Sequence, residues 1–173
     1  RVRNFAFLAL LRNRIYRDLG CCCSPFNAFL MSIGIESLGV RMERHCASSL
    51  KVAESLAEDA RVDQVIYPGL PTHPDHEVAK RQFGGRYGAL VTLRLGSKER
   101  CFKFINGLKH AQILANLGDT KTLVIHPAST ICRDADEGQR LAMGVTEDLV
   151  RLSIGLEHIG DILNDIDQSL GRM

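Results

Sequence analysis

Residues 148–163 read DLVRLSIGLEHIGDIL, a period-two segment that passes directly into a period-3.6 segment. From Leu149 to Leu156, strand geometry places Val150, Leu152 and Ile154 on one face and Arg151 and Ser153 on the other. The apolar face belongs to a core, so Arg151 points away from it, toward solvent or into a polar pocket. Ile159, Ile162, Leu163, Ile166 and Leu170 then recur at helical spacing and form the buried stripe of a final helix. A strand feeding an amphipathic helix predicts an α/β domain.

Moving toward the N-terminus, the same alternation of periods continues. Leu123 to Ile125 reads as a short strand stopped by Pro127, and Ala89, Val91, Leu93 and Leu95 alternate with polar residues in another. A helix carrying Cys101, Phe102, Ile105 and Leu108 lies between them. Val62 to Tyr67 predicts a strand ended by Pro68, Gly69 and Pro71, and His76 to Phe83 a short helix. Before residue 60 the pattern is helical throughout. Leu38, Met42, Cys46, Leu50, Ala53 and Ala57 keep spacings of three and four over about five turns. Ser24 followed by Pro25 predicts a capped start for a helix whose stripe is Phe26, Phe29, Leu30 and Ile33. Leu8, Leu11, Ile15 and Leu19 predict a helix over residues 4–19, closed by Gly20 as a left-handed C-cap. The expected division is therefore linker helices over 1–59 and an α/β subdomain over 60–173, its sheet covered on one face by helices.

Composition narrows the function classes. The 173 residues carry a net charge of +2, with 22 Lys+Arg scattered against 20 Asp+Glu, so no electrostatic footprint for nucleic acid or anionic lipid exists. No apolar run approaches the roughly 20 residues of a membrane span. Three of the six cysteines are consecutive, Cys21 to Cys23, and the others are isolated, which suits reduced, cytosolic usage. The chain opens on Arg1, and the run Phe5 to Leu8 lacks a cleavage site, so a piece of a longer protein is expected rather than a secreted one.

Taken alone, most conspicuous side chains have structural explanations. His73 and His76 lack a second pair for zinc, and no metal site is expected. Cys46 and its neighbour His45 are expected on different sides of their helix, which excludes a thiol–imidazole pair. Gly84, Gly85 and Gly88 open no helix and read as turn glycines rather than a phosphate cradle. On periodicity alone a surface ion-pair arginine is the favoured reading of Arg151 over a ligand for an anion.

Five segments change that balance: SPFNAFL (24–30), RMERHC (41–46), YPGLPTHPDHEVAKR (67–81), NLGDTKTLVIHPAST (116–130) and DLVRLSIGLEHIGDIL (148–163). In this order they resemble the C-terminal half of the pyridoxal-phosphate enzymes of Cys/Met metabolism, nearest the O-acetylhomoserine sulfhydrylases. Cystathionine synthases, cystathionine lyases and methionine lyases share much of the pattern. The resemblance implies the small C-terminal domain of a fold-type I transferase, with residues 1–59 packing on a cofactor domain outside the chain. It implies replacement of acetate by sulfide on O-acetylhomoserine, a cytoplasmic homo-oligomer such as a tetramer, and no nucleic-acid or membrane partner.

Residue by residue, the resemblance assigns Arg151 to the substrate carboxylate, because it matches the arginine of the L-[IV]-R-L-S strand. Asn116 matches a position beside the LG pair near the same carboxylate; as an ordinary turn residue it would instead satisfy local backbone groups. The cofactor-bearing lysine belongs to a Ser/Thr-rich stretch that is not found here, and Lys121 between two threonines is a loop residue at a different family position. No catalytic or cofactor-binding residue is therefore expected in the chain, and alone it is expected to be inactive or to serve as an interaction domain. Ile131 and Cys132 depart from the family's HPASTTH, and the CCC before SPFNAF is also unusual.

Overall fold

A computed structural model describes residues 5–173, and the expected first helical residue, Asn4, lies outside the described residues. The chain divides into two units, Arg1–Gly39 and Val40–Met173.

In the first unit, α1 (Ala6–Leu10), a π-helical stretch (Leu11–Tyr16) and α2 (Arg17–Leu19) follow one another and end at Gly20, whose φ of 64° is the left-handed cap. The helix α3 (Pro25–Glu36) starts as its sequence requires: the Ser24 hydroxyl accepts from the Asn27 N–H at 3.2 Å, and Pro25 takes the first position. Its expected stripe is not buried. Phe26, Phe29, Leu30 and Ile33 are all exposed, and so are Met31 and Ile35 on other sides of the helix. A helix that is apolar all round is a buried type of helix, and within this unit nothing encloses it.

The second unit begins inside α4 (Leu38–Ala57). The compact units divide at Gly39, and α4 contributes a full face to the core of the second. That face is His45, Cys46, Ser48, Ser49, Val52, Ala53 and Leu56. The expected stripe is rotated: Leu38 and Ala57 turn outward, and small polar residues take the packed side. Val52, Ala53 and Leu56 of this face join the core cluster with the apolar side chains of the strands.

The sheet has the order β1-β2-β5-β4-β3, with β1 Gln64–Ile66, β2 Leu90–Arg94, β3 Gln112–Ile113, β4 Leu123–Ile125 and β5 Leu149–Ser153. Every pairing is antiparallel except β3 with β4. Four helices accompany it besides α4: α5 (His76–Phe83), α6 (Lys98–Gly107), α7 (Glu137–Ala142) and α8 (Ile159–Leu170). Val91, Leu93, Val124, Val150 and Leu152 face one side and join Val52 and Leu56 of α4, Phe104 and Ile105 of α6, and Ile162, Ile166 and Leu170 of α8 in one core cluster. The helices cover that face, as the alternation of periods predicts, and β5 lies inside the sheet between β2 and β4.

The exit of β5 is fastened at several points. His45 Nδ1 donates to the Ile154 carbonyl at 2.7 Å, and an Arg44 Nη2 donates to the Glu157 carbonyl at 3.1 Å. The Glu157 carboxylate accepts from the Thr122 N–H at 2.5 Å and its hydroxyl at 2.9 Å. Gly155 sits where a Cβ would lie 2.5 Å from the Lys121 carbonyl carbon and 2.6 Å from the Thr120 oxygen, and would also strike the Glu157 carboxylate. Because two of these obstacles are backbone, Gly155→Ala should lower stability by about 2 kcal/mol, measured by urea melts; an unchanged midpoint would contradict this packing.

Candidate functional site

On β5, Arg151 lies between Val150 and Leu152, both fully buried toward the helices, so its side chain leaves from the opposite face. Its register partners there are Thr92 of β2 and Ile125 of β4. The guanidinium is half-buried, and among the described residues it has one hydrogen bond: Nη2 donates to the Asn116 carbonyl at 3.2 Å. Its Nε is enclosed and has no partner. No carboxylate of the described residues pairs with it. A surface ion pair is therefore not its role, and a planar fork of five N–H donors keeps most of them unused.

The structure brings Asn116 to Arg151 through the main chain. The Asn116 side chain turns into its own loop, where Oδ1 accepts from the Leu117 N–H at 2.9 Å. The two readings of this residue thus apply to different atoms. Two residues after Arg151 on the same strand face, buried Ser153 accepts from the Gly118 N–H at 3.3 Å.

At the end of β4, His126 is buried and fully engaged. Its Nδ1 accepts from the Ser129 N–H at 3.2 Å, so the proton is on Nε2, which donates to the Glu147 carbonyl at 2.9 Å. Both ring nitrogens are occupied, which leaves this imidazole a structural post. The departure at Ile131 and Cys132 falls on the turn after it. That turn is closed by main-chain bonds from Thr130 and Cys132 to the Pro127 carbonyl at 3.2 and 3.0 Å, and these do not depend on the side chains.

The remaining candidates follow local chemistry. His76 Nδ1 meets the Pro68 carbonyl at 2.9 Å and His73 Nδ1 accepts from the Asp75 N–H at 3.1 Å, so each serves its own turn. His45 and Cys46 do not lie on different sides of α4; both are buried, but the imidazole is committed to Ile154. Burial pushes the Cys101 thiol up to about 12, which silences it as a nucleophile. Gly84, Gly85 and Gly88 all have positive φ and form the turn after α5.

All six lysines, Lys51, Lys80, Lys98, Lys103, Lys109 and Lys121, are exposed. Lys98 pairs with Glu147 and Lys103 with Glu99. What stands out among the chain's side chains is the Arg151 guanidinium on an inner strand, most of whose donors have no partner among the described residues.

One residue that the sequence reading passed over is Asp165 of α8. It is 4% exposed, and its carboxylate accepts from the N–H groups of Lys109, His110 and Ala111 at 2.7, 2.9 and 3.0 Å. Burial works to raise its pKa, but the three backbone donors outweigh that and hold it below the ordinary value. The only hint in the sequence is an acid inside the apolar spacing of the last helix.

Comparison with known proteins places the chain in a family. Residues 4–171 match the family described as Cys/Met metabolism PLP-dependent enzymes. A curated O-acetyl-L-homoserine sulfhydrylase of Leptospira meyeri is 44% identical over 169 residues, 96% of this chain and 38% of the relative. A sulfhydrylase of Fusarium oxysporum f. sp. lycopersici is 41% identical over 167 residues, 96% of this chain and 39% of the relative. Among solved structures, one described as an O-acetylhomoserine (thiol)-lyase from Campylobacter jejuni, with a pyridoxyl-lysine phosphate, superposes with a TM-score of 0.90 at 33% identity over 96% of this chain and 40% of that one. The chain thus spans about two fifths of the length of the relatives it matches. It belongs to the Cys/Met metabolism PLP-dependent enzymes.

Proposed function

We propose that the chain is the C-terminal, substrate-binding part of an O-acetylhomoserine sulfhydrylase, acting in a cytoplasmic homo-oligomer on O-acetylhomoserine and sulfide. The observation that carries this reading is Arg151: a half-buried guanidinium on an inner strand, held by a carbonyl and paired with no carboxylate among the described residues. Such a fork suits the α-carboxylate of an amino-acid substrate, which it binds through paired, charge-assisted hydrogen bonds. Binding at two points fixes orientation as well as position. Asn116 supports the clamp with its main-chain carbonyl. Pyridoxal phosphate, held by polypeptide outside this chain, supplies the electron-withdrawing ring on which the family's chemistry depends. The exposed apolar surface of α3 is the face that packs on that polypeptide.

The test is a chimera in which residues 4–171 replace the matched stretch of the Leptospira meyeri relative. With pyridoxal phosphate it should convert O-acetylhomoserine and sulfide to homocysteine, while the isolated chain should do neither this nor retain cofactor after borohydride. A chimera that binds the cofactor but only eliminates, without incorporating sulfide, would favour a lyase. Cofactor trapped on a lysine of the isolated chain would overturn the division of labour.

A further inference from the structure

We propose that Ser153 is a positioning residue for the Arg151 clamp, an assignment that rests on the carboxylate-binding reading above. Residues 114–122 connect β3 to β4, and the first six of them, 114–119, are largely exposed. Within this loop Asn116 N–H donates to the Leu114 carbonyl and Asn116 Oδ1 accepts from Leu117, so the loop is closed on itself. The far end is held by the Leu156 N–H on the Thr120 carbonyl and by Thr122, but among the described residues only two hydrogen bonds tie residues 114–119 to the sheet. One runs from Arg151 to the Asn116 carbonyl, and the other from the Gly118 N–H to the Ser153 hydroxyl.

Both anchors stand on the same face of β5, two residues apart, and together they grip the Asn116–Gly118 segment at its two ends. Ser153 is 2% exposed and pairs in register with Leu90 and Leu123, so its hydroxyl has a fixed position. Gly118 has a φ of 68°, which turns its N–H back onto the strand and which L side chains rarely adopt. The Ser153 bond therefore fixes where the Asn116 carbonyl lies, and that carbonyl in turn fixes the plane of the Arg151 guanidinium. Without the hydroxyl, the loop would hold the clamp through Arg151 alone, and a ligand would have to order it on binding.

Two variants test this, Ser153→Ala and Ser153→Thr, the second keeping the hydroxyl on a residue type that strands accept. In the full 173-residue chain, Ser153→Ala should speed exchange of the Gly118 amide by about tenfold. In the chimera it should raise KM for O-acetylhomoserine about fivefold and leave kcat within about twofold, with Ser153→Thr close to the parent in both. If Ser153→Ala leaves KM unchanged while Arg151→Lys raises it, the positioning role falls and the carboxylate reading stands. If Arg151→Lys also leaves KM unchanged, both fall.

Discussion

Replacing Arg151 by lysine in the chimera should lower kcat/KM for O-acetylhomoserine by about 100-fold, with Arg151→Ala at least as severe. A lysine keeps the charge but offers a point donor on a flexible stem, whereas guanidinium holds both oxygens of a carboxylate in one plane. The lost second hydrogen bond and the lost orientation together amount to roughly 2–3 kcal/mol, which is the expected factor. Part of the loss should appear in kcat, because a substrate held at one point no longer presents its reacting bonds in a fixed direction. Stability should change little: among the described residues Arg151, half-buried, carries no ion pair and makes one hydrogen bond, to a loop carbonyl. Steady-state kinetics beside a urea melt separates the two effects. A loss smaller than about fivefold at unchanged stability would mean that the carboxylate is gripped elsewhere.

The strand that carries this arginine was legible because two signals coincide on it. Period-two alternation puts Val150 and Leu152 into the core, and the same alternation forces Arg151 outward, so the fold and the site candidate come from one pattern. Caps were legible for the same local reason: Ser24, Pro25 and Gly20 act on groups within a few residues of themselves. What escaped depends on distant partners. The rotation of α4 cannot be read from apolar spacing, since Ser48, Ser49 and His45 are buried against a sheet that begins later in the chain. For the same reason the start of the second compact unit inside α4, at Val40, leaves no mark on the sequence pattern. The strand β3 has two residues, too few for any periodicity, and exists because β4 offers it a parallel edge. Asn116 was half legible: its position near Arg151 follows from the family pattern, but which of its atoms faces the guanidinium is set by the loop.

Asp165→Ala should destabilise the second unit by about 3 kcal/mol at neutral pH, the larger of the two stability effects expected in this chain. Three successive backbone N–H groups, from Lys109 to Ala111, point at one carboxylate that water barely reaches. Removing it strands those donors, and a donor without a partner costs far more than an exposed hydrogen bond contributes. Asp165→Asn keeps one oxygen in place but loses the charge that three donors favour, so it should fall between the parent and alanine. The dependence on pH has a definite sign. The folded-state pKa lies below the ordinary carboxylate value of 3.8, so the contribution is present above that value and disappears as pH falls through and below it. The gap between parent and Asp165→Ala, measured by urea melts, should therefore be widest near pH 7 and narrow steadily below about pH 4. A gap of equal size at pH 7 and pH 3 would show that the side chain acts by packing alone. Because Lys109 to Ala111 lead directly into β3, and β3 into the loop that carries Asn116, the same substitution should also loosen the Gly118 amide. The buried acid of α8 thus holds the segment that enters β3, and the arginine of β5 holds the loop that leaves it.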